Sequence, residues 1–181
     1  MKTLKNLALS GTMLLSGLLF TTNISAQEQK APQLTDPEIA SVAVTANQID
    51  VEYAEMALKK SNNKTVKNFA TTMKNDHNAV IKMAVDLVTK LKVTPKTNAV
   101  TKSLLDGAAK EKAILNAKSG KAFDKAYVDN EVAYHESTIK AVESILIPQS
   151  KNAELKALLV KAVPIFKTHL EHAKMIQKEL K

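Results

Sequence analysis

The four histidines are the residues whose type and spacing could do chemistry in this sequence. They are His77, His135, His169 and His172. Each lies on, or at the edge of, the apolar face of a segment whose apolar residues recur every three or four positions, which predicts amphipathic helices. A side chain on such a face points into the protein, where a lone imidazole needs polar partners. The pattern therefore indicates that the histidines meet other polar groups in the interior.

Carboxylates share these apolar faces. Asp50, Asp124 and Glu131 fall on them, Glu131 lies one helical turn before His135, and Asp76 lies at an edge. Counting about 1.5 Å per residue from the predicted helix ends places these groups near the middle of their helices. We therefore expect up to seven polar groups to converge in one layer.

Two chemistries would offset the cost of burying such groups. The histidines and carboxylates pair in a hydrogen-bond network, which would raise the pKa of the paired histidines, or they bind a divalent transition metal such as Zn, Fe or Mn. The metal hypothesis names as ligands Asp50, His77, Asp124, Glu131, His135 and His169. It names as supporting residues around them Asp76, Tyr127 and His172.

Several kinds of site do not fit the sequence. The chain has no cysteine, which excludes thiolate ligands and cysteine nucleophiles. Di-iron bundles carry a Glu-x-x-His motif on two helices, which Glu131-x-x-x-His135 and His169-x-x-His172 only approximate. No spacing indicates a Ser/His/Asp triad or a phosphate-binding loop. We therefore name no catalytic residue, and the sequence favours binding or a structural role over enzymatic activity.

The first 26 residues predict a secretory signal peptide. Lys2 and Lys5 form a basic start, residues 7–20 are largely apolar, and Ile24-Ser25-Ala26 ends with a small residue before Gln27. The apolar run is shorter than the roughly 20 residues of a membrane helix. We therefore expect secretion across the inner membrane, cleavage before Gln27, a periplasmic or envelope-associated location, and no transmembrane segment after cleavage.

The remaining sequence predicts an all-α protein. Residues 27–36 read as a flexible lead-in, with Asp36 as the N-cap of the first helix and Pro37 in its first turn. Four long helices are predicted at 37–60, 63–92, 121–147 and 152–180. A weaker helical segment at 99–118 joins the second to the third. This pattern predicts a ferritin-like four-helix bundle over 37–181, with a helical crossover between the second and third long helices.

The positive charge has an ordinary explanation. The formal net charge is +8, or +6 without Lys2 and Lys5, and all 26 basic residues are lysine. Nucleic-acid readers rely on arginine forks and aromatic stacking, and this chain has neither arginine nor tryptophan. We therefore expect no nucleic-acid partner. A lysine-rich solvated surface accounts for the charge, and a polyanion or protein of the envelope is the alternative partner.

Three segments resemble a bacterial family known as domain of unknown function 4142 (DUF4142). They are "KNFATTMKNDHNAV", "GKAFDKAYVDNEVAYHE" and "VPIFKTHLEHA". The positions that match the family are Phe69, Ala70, Met73, Asp76, His77, Phe123, Asp124, Tyr127, His135, Pro164 and His169. The resemblance implies an exported, ferritin-like helical protein and places Asp50 where the family has an acidic residue. It implies no activity.

Two functions stay open at this point. One is a small exported metal-binding bundle for storage, buffering or protection. The other is a non-catalytic structural or interaction protein of the envelope, whose buried polar layer only fixes the packing of the helices.

Overall fold

The computed structural model describes residues 32–180, and these residues are almost entirely helical, with no β-strand among them. The helices are α1 Asp36–Lys60, α2 Lys64–Lys90, α3 Ala99–Asn116, α4 Gly120–Ala141, α5 Ile147–Gln149 and α6 Ala153–Glu179. A five-residue π-helical turn, Val142–Leu146, joins α4 to α5 without a break in the helix. The predicted all-α bundle with a helical crossover is confirmed.

Local sequence signals explain the helix ends. The side chains of Asn63 and Asn152 accept hydrogen bonds from the first backbone amides of α2 and α6, as N-caps do. The predicted N-cap of α1 is wrong by one residue. Thr35 occupies that position, and its backbone N and hydroxyl donate to the Glu38 carboxylate at 2.9 and 2.7 Å.

The third long helix also differs at its end from the prediction. It was expected to stop at Ile147, before Pro148. Instead, the helix runs on through Pro148, which cannot donate a backbone hydrogen bond, and ends at Gln149. The preceding π-turn supplies the change in geometry at this point.

The crossover fixes the direction of each helix. The segment before α3 contacts the beginning of α1, because Lys96 N donates to Pro37 O at 3.0 Å. The end of α3 meets the end of α1, because Lys60 Nζ donates to Leu115 O at 3.1 Å. Since α3 carries the chain back along the bundle, α2 and α4 run parallel, and α1 and α6 run opposite to them.

One end of the bundle is packed with large rings, and we call it the aromatic end. It contains Tyr53, Phe69, Leu115, Phe123 and Tyr127, each no more than 2% exposed. Phe123 and Tyr127 stack in parallel with ring centroids 6.3 Å apart. The opposite end is lined by smaller aliphatic residues of α1, α6 and the π-turn. The polar layer lies between the two ends.

The first described residues are tied to the connection between α5 and α6, and we call this contact the N-terminal clasp. The Asp36 carboxylate accepts from the backbone amides of Lys151 and Asn152, both at 2.9 Å. The Gln149 side chain accepts from Leu34 N at 2.7 Å and donates to Pro32 O at 2.9 Å. Asp36 thus holds a later part of the chain in place instead of capping its own helix.

Candidate metal centre

Three histidines from three helices meet in the middle of the bundle. His77 of α2, His135 of α4 and His169 of α6 are at most 3% exposed. Their ring centroids are 5.2 to 5.5 Å apart. One ring nitrogen from each lies within 4.8 Å of the others, which is close enough for a single metal ion to engage all three. We call these residues the histidine triad.

Each histidine is anchored through one ring nitrogen. His77 Nδ1 lies 2.8 Å from the Asn47 side-chain oxygen, and His135 Nδ1 lies 2.9 Å from the main-chain oxygen of Glu131. His169 Nε2 lies 2.9 Å from an Asp76 carboxylate oxygen. Because these partners are acceptors, the anchored nitrogen carries the proton. The other nitrogen is left with its lone pair, which is the form that binds metals.

Two buried carboxyl groups lie beside the triad. Asp50 and Glu131 are both fully buried, and with His135 they form a second group whose donor atoms lie within 4.8 Å of one another. The distance from His77 Nε2 to Asp50 is 3.5 Å, and that from His135 Nε2 to Asp50 is 3.7 Å. His135 therefore belongs to both groups and joins them into one layer.

The atoms that face one another in this layer are unsatisfied. Within residues 32–180, seven of them have no hydrogen-bond partner: both oxygens of Asp50, both of Glu131, His77 Nε2, His135 Nε2 and His169 Nδ1. Buried polar atoms in folded proteins are nearly always paired, so a cluster of this size needs an explanation. The donor set fits a divalent transition metal, because imidazole and carboxylate ligands together suit Zn, Cu, Fe and Mn.

Burial keeps the layer neutral near pH 7. It raises the pKa of the Asp50 carboxyl to about 8. Burial, and after it the charge of Asp50, raises the pKa of Glu131 well above its ordinary value. Burial lowers the pKa of His135 to about 4 and, with neighbouring histidines adding to the effect, lowers the pKa of His77 well below its ordinary value. The imidazoles are therefore ready to bind a cation, whereas the carboxyls must first lose protons.

The pKa of His169 responds to two opposing influences. Burial lowers it, and the Asp76 carboxylate partly opposes this change. The network hypothesis predicted raised pKa values for His77, His135 and His169. That expectation is wrong in direction, because none of the three forms an ion pair strong enough to offset the loss of solvent.

The structure gathers five of the six proposed ligands and leaves one apart. Asp124 is buried, but it lies seven residues before Glu131 on α4, or about 10 Å along the helix. Within the described residues, neither group of candidate ligands includes Asp124 or His172. The layer is therefore smaller than the seven groups expected, because a shared helical face does not imply a shared height.

The proposed supporting residues have three different roles. Asp76 anchors His169, as described above. Tyr127 is buried next to Glu131, and its hydroxyl has no hydrogen bond of normal length among the described residues but lies close enough to that carboxyl to oppose the rise in the pKa of Glu131. His172 packs edge-on against Phe69 with ring centroids 5.2 Å apart, so it belongs to the aromatic end and not to the layer.

Two residues of the layer were missed by the sequence reasoning. Asn47 anchors His77, and its amide nitrogen donates to Ala43 O at 2.8 Å, which orients its oxygen toward the imidazole. Phe166 stacks on His77 with ring centroids 5.3 Å apart and the planes 5° from parallel. The signal for Asn47 was its position three residues before Asp50, on the same face of α1.

Comparison with known proteins identifies the family and supports the fold. The model of DUF4142, a domain of unknown function, matches residues 21–176, and the chain belongs to this family. The fold is similar to that of CopM in the Cu(II)-bound form, with 14% identity, a TM-score of 0.62, and coverage of 83% of this chain and 100% of that chain. It is also similar to CopM in the Ag-bound form obtained by co-crystallization, with 17% identity, a TM-score of 0.60, and coverage of 81% and 98%. No curated protein matches the sequence significantly.

Proposed function

We propose that this member of the DUF4142 family binds one divalent transition-metal ion in its buried polar layer. The observation that carries the proposal is the arrangement of the three histidines. Each has one nitrogen held by an oxygen acceptor and the other without a partner in the described structure, and one ring nitrogen of each lies within 4.8 Å of the others. Metal-binding histidines are held in the same way, by an acceptor on the nitrogen that does not bind the metal.

Charge balance assigns a role to the carboxyl groups. A divalent cation among neutral imidazoles in a closed interior would be an uncompensated buried charge, which is very unfavourable. Asp50 and Glu131 lie next to the triad and would supply two negative charges after losing their protons. The proposed reaction exchanges one divalent cation for up to two protons, so the net charge of the interior is unchanged.

The ligand set and the structural comparison together define the metals to test. Zn, Fe and Mn are candidates from the ligand chemistry alone. Cu(II) joins them because imidazole also suits copper and because CopM, whose fold is similar, was solved in a Cu(II)-bound form. Within residues 32–180, no helix combines the length and apolar character that a membrane crossing needs. We propose that the protein is exported and acts as a metal carrier or buffer of the cell envelope.

The test is an equilibrium titration of the purified, metal-free protein with each of Cu(II), Zn(II), Fe(II) and Mn(II). His135→Ala should lower the affinity for the preferred metal by more than about 100-fold, because it removes a ligand shared by both groups. Substitution of a residue that only hydrogen-bonds to a ligand already lowers metal affinity by roughly 10- to 100-fold. His172→Ala is the matched control, since it removes a histidine outside the layer. Equal effects of the two substitutions, or no binding of any metal by the wild type, would leave the structural role as the better account.

Export has a separate test. Mass spectrometry of the protein isolated from its native host should give a chain that begins at Gln27. A chain in the membrane fraction that still begins at Met1 would contradict cleavage, and it would not bear on metal binding.

A further inference from the structure

An apolar cavity lies beside the polar layer, toward the end opposite the aromatic end. Its volume is about 220 Å³, and its walls come from α1, α2, α3, α4, the π-turn and α6. The polar residues in its lining are Asn47, Ser137 and Thr138, and none of the lining residues is charged. A space of this kind receives an uncharged molecule more readily than an ion or a strongly polar molecule.

Small side chains from four helices create the cavity together. Ala40 of α1, Ala84 of α2, Ala141 of α4 and Ala162 of α6 all line it. Protein interiors are normally packed to the density of organic crystals, so a space this large is unusual. The π-turn forms another wall through Val142 and Leu146. Such turns are rare within α-helices and are frequent at functional sites.

The size of the cavity defines the size of its occupant. An engineered apolar cavity of about 150 Å³ binds benzene. A space about half as large again therefore accommodates a molecule of roughly nine non-hydrogen atoms, such as a fused aromatic ring system. The space is partly open to solvent, since Ser137 in its lining is exposed, but about 220 Å³ between helices is too small for a folded segment of another protein. The occupant is therefore a small molecule.

We propose that this cavity binds one small, uncharged, largely apolar molecule with a single polar end. Thr138 and Asn47 offer the polar contacts, and they lie at the side of the cavity that faces the layer, because both also line the narrow space beside Asp50, His77 and His135. The apolar body would lie between the aliphatic residues of α1, α2 and α6. This inference does not depend on the binding of a metal.

The position of the cavity couples its occupant to the layer. Asn47 and Phe166 line the cavity. The same two residues hold His77, one by a hydrogen bond and the other by stacking. A bound molecule would therefore contact the two side chains that orient this imidazole.

Indole is the probe for the test. It has the required size, one polar N–H and no charge, and its fluorescence is distinct because the protein contains no tryptophan. Metal-free protein is titrated with indole and, separately, with indole-3-acetate, which carries a charged carboxylate. We expect saturable binding of indole at one site with a blue-shifted emission, and affinity for indole-3-acetate at least tenfold weaker. Emission that rises linearly without saturation, or equal affinity for the two probes, would overturn the proposal.

Cavity-filling variants locate the site. Ala84→Leu should lower the affinity for indole at least tenfold, because the larger side chain occupies the cavity. Ala109→Leu is the matched control, since Ala109 is exposed on α3 and does not line the cavity. Ala40→Leu fills the same space from α1 and is used if Ala84→Leu does not fold. If a folded variant with a filled cavity still binds indole as tightly as the wild type, the proposal is refuted. If neither variant folds, the comparison of indole with indole-3-acetate on the wild type decides the proposal.

Discussion

The aromatic end and the polar layer are equally buried, yet their interiors are held in different ways. At the aromatic end, Phe69, Phe123 and Tyr127 surround one another with apolar contacts. In the layer, Asp50 and Glu131 are just as deeply buried, but their oxygens lack hydrogen-bond partners among the described residues. Burial of apolar side chains stabilises a fold, whereas burial of polar atoms without hydrogen-bond partners reduces its stability. The difference indicates that the residues that stabilise the fold and those of the proposed metal site lie in separate regions of one core.

The largest effect is expected from a substitution at the aromatic end. Phe123→Ala removes a fully buried ring and should lower the free energy of unfolding by about 3–5 kcal/mol. The change is measured by urea denaturation of the metal-free protein. The metal affinity of the folded variant should be close to that of the wild type. A loss of metal affinity as large as that from a histidine substitution would show that the two regions are not separate.

The pH dependence of stability should reveal the carboxyls of the layer. Between about pH 4, where an unfolded Asp titrates, and about pH 8, folded Asp50 keeps a proton that the unfolded chain releases. This titration lowers stability as the pH rises, and above about pH 6.5, where the histidines no longer titrate, the stability of the wild type should fall. Asp50→Asn lacks this titration, so its stability relative to the wild type should increase with pH. Asp86→Asn, at an exposed ion pair with Lys82, is the control and should follow the wild type.

The titration of the histidines changes the folding stability in the opposite direction from that of Asp50. Their pKa values are lowered on folding, so below about pH 6.5 the unfolded chain takes up protons that the folded layer does not. Their titration lowers stability as the pH drops below about 6.5, whereas the carboxyls raise it over the same range. Thermal melting of metal-free protein from pH 4 to 9 should show the loss at high pH, and Asp50→Asn should show a stronger loss at low pH than the wild type. A melting temperature that is flat over this range would contradict the neutral, strained layer described here.

His77→Leu separates a binding site from a structural network. In a binding site, it should lower metal affinity by more than about 100-fold, because a ligand is lost. In either role it strands the Asn47 oxygen and should destabilise the metal-free protein by roughly 1–3 kcal/mol, so the response to metal decides between the roles. The measurement is chemical denaturation with and without metal. A destabilised variant combined with a wild type whose midpoint ignores added metal would refute the binding role.

The smallest effect is expected at an anchor of the triad. Asp76→Asn keeps an acceptor for His169 Nε2 but removes the charge, and the Asp76 side chain is 45% exposed. Solvent therefore screens much of that charge. Metal affinity should fall by about tenfold, which is the low end of the range for residues that hydrogen-bond to a metal ligand. The titration used for His135→Ala also measures this change. An effect as large as that of His135→Ala would mean that Asp76 is itself a ligand.

The sequence predicted the fold and the inward histidines because both depend on helical periodicity. The apolar spacing determines which face of a helix is buried, so Asp50, His77 and His135 could be assigned to the interior. Periodicity does not determine how far a side chain lies along the bundle relative to other helices. For that reason Asp124 was expected in the layer, although it lies about two turns below Glu131 on the same face.

Other features depend on tertiary contacts that no local pattern encodes. Asn47 became an anchor only because its side chain is turned by the bond to Ala43 O. The π-turn has no sequence signal of its own, and Pro148 seemed to end a helix that in fact continues. The cavity results from small residues on four helices, each of which, taken alone, is an ordinary alanine of a helix face.

The N-terminal clasp has a consequence for the order in which the chain folds. Asp36 and Leu34 are bound by residues 115 or more positions later in the chain. These contacts cannot form until Gln149 to Asn152 have been synthesised, and such distant pairings are slow to form. Leu34 and the Asp36 carboxylate therefore lack these partners while most of the protein emerges, although Lys96 can already bind the start of α1. The segment before α1 is therefore among the last parts of the bundle to be fixed in place.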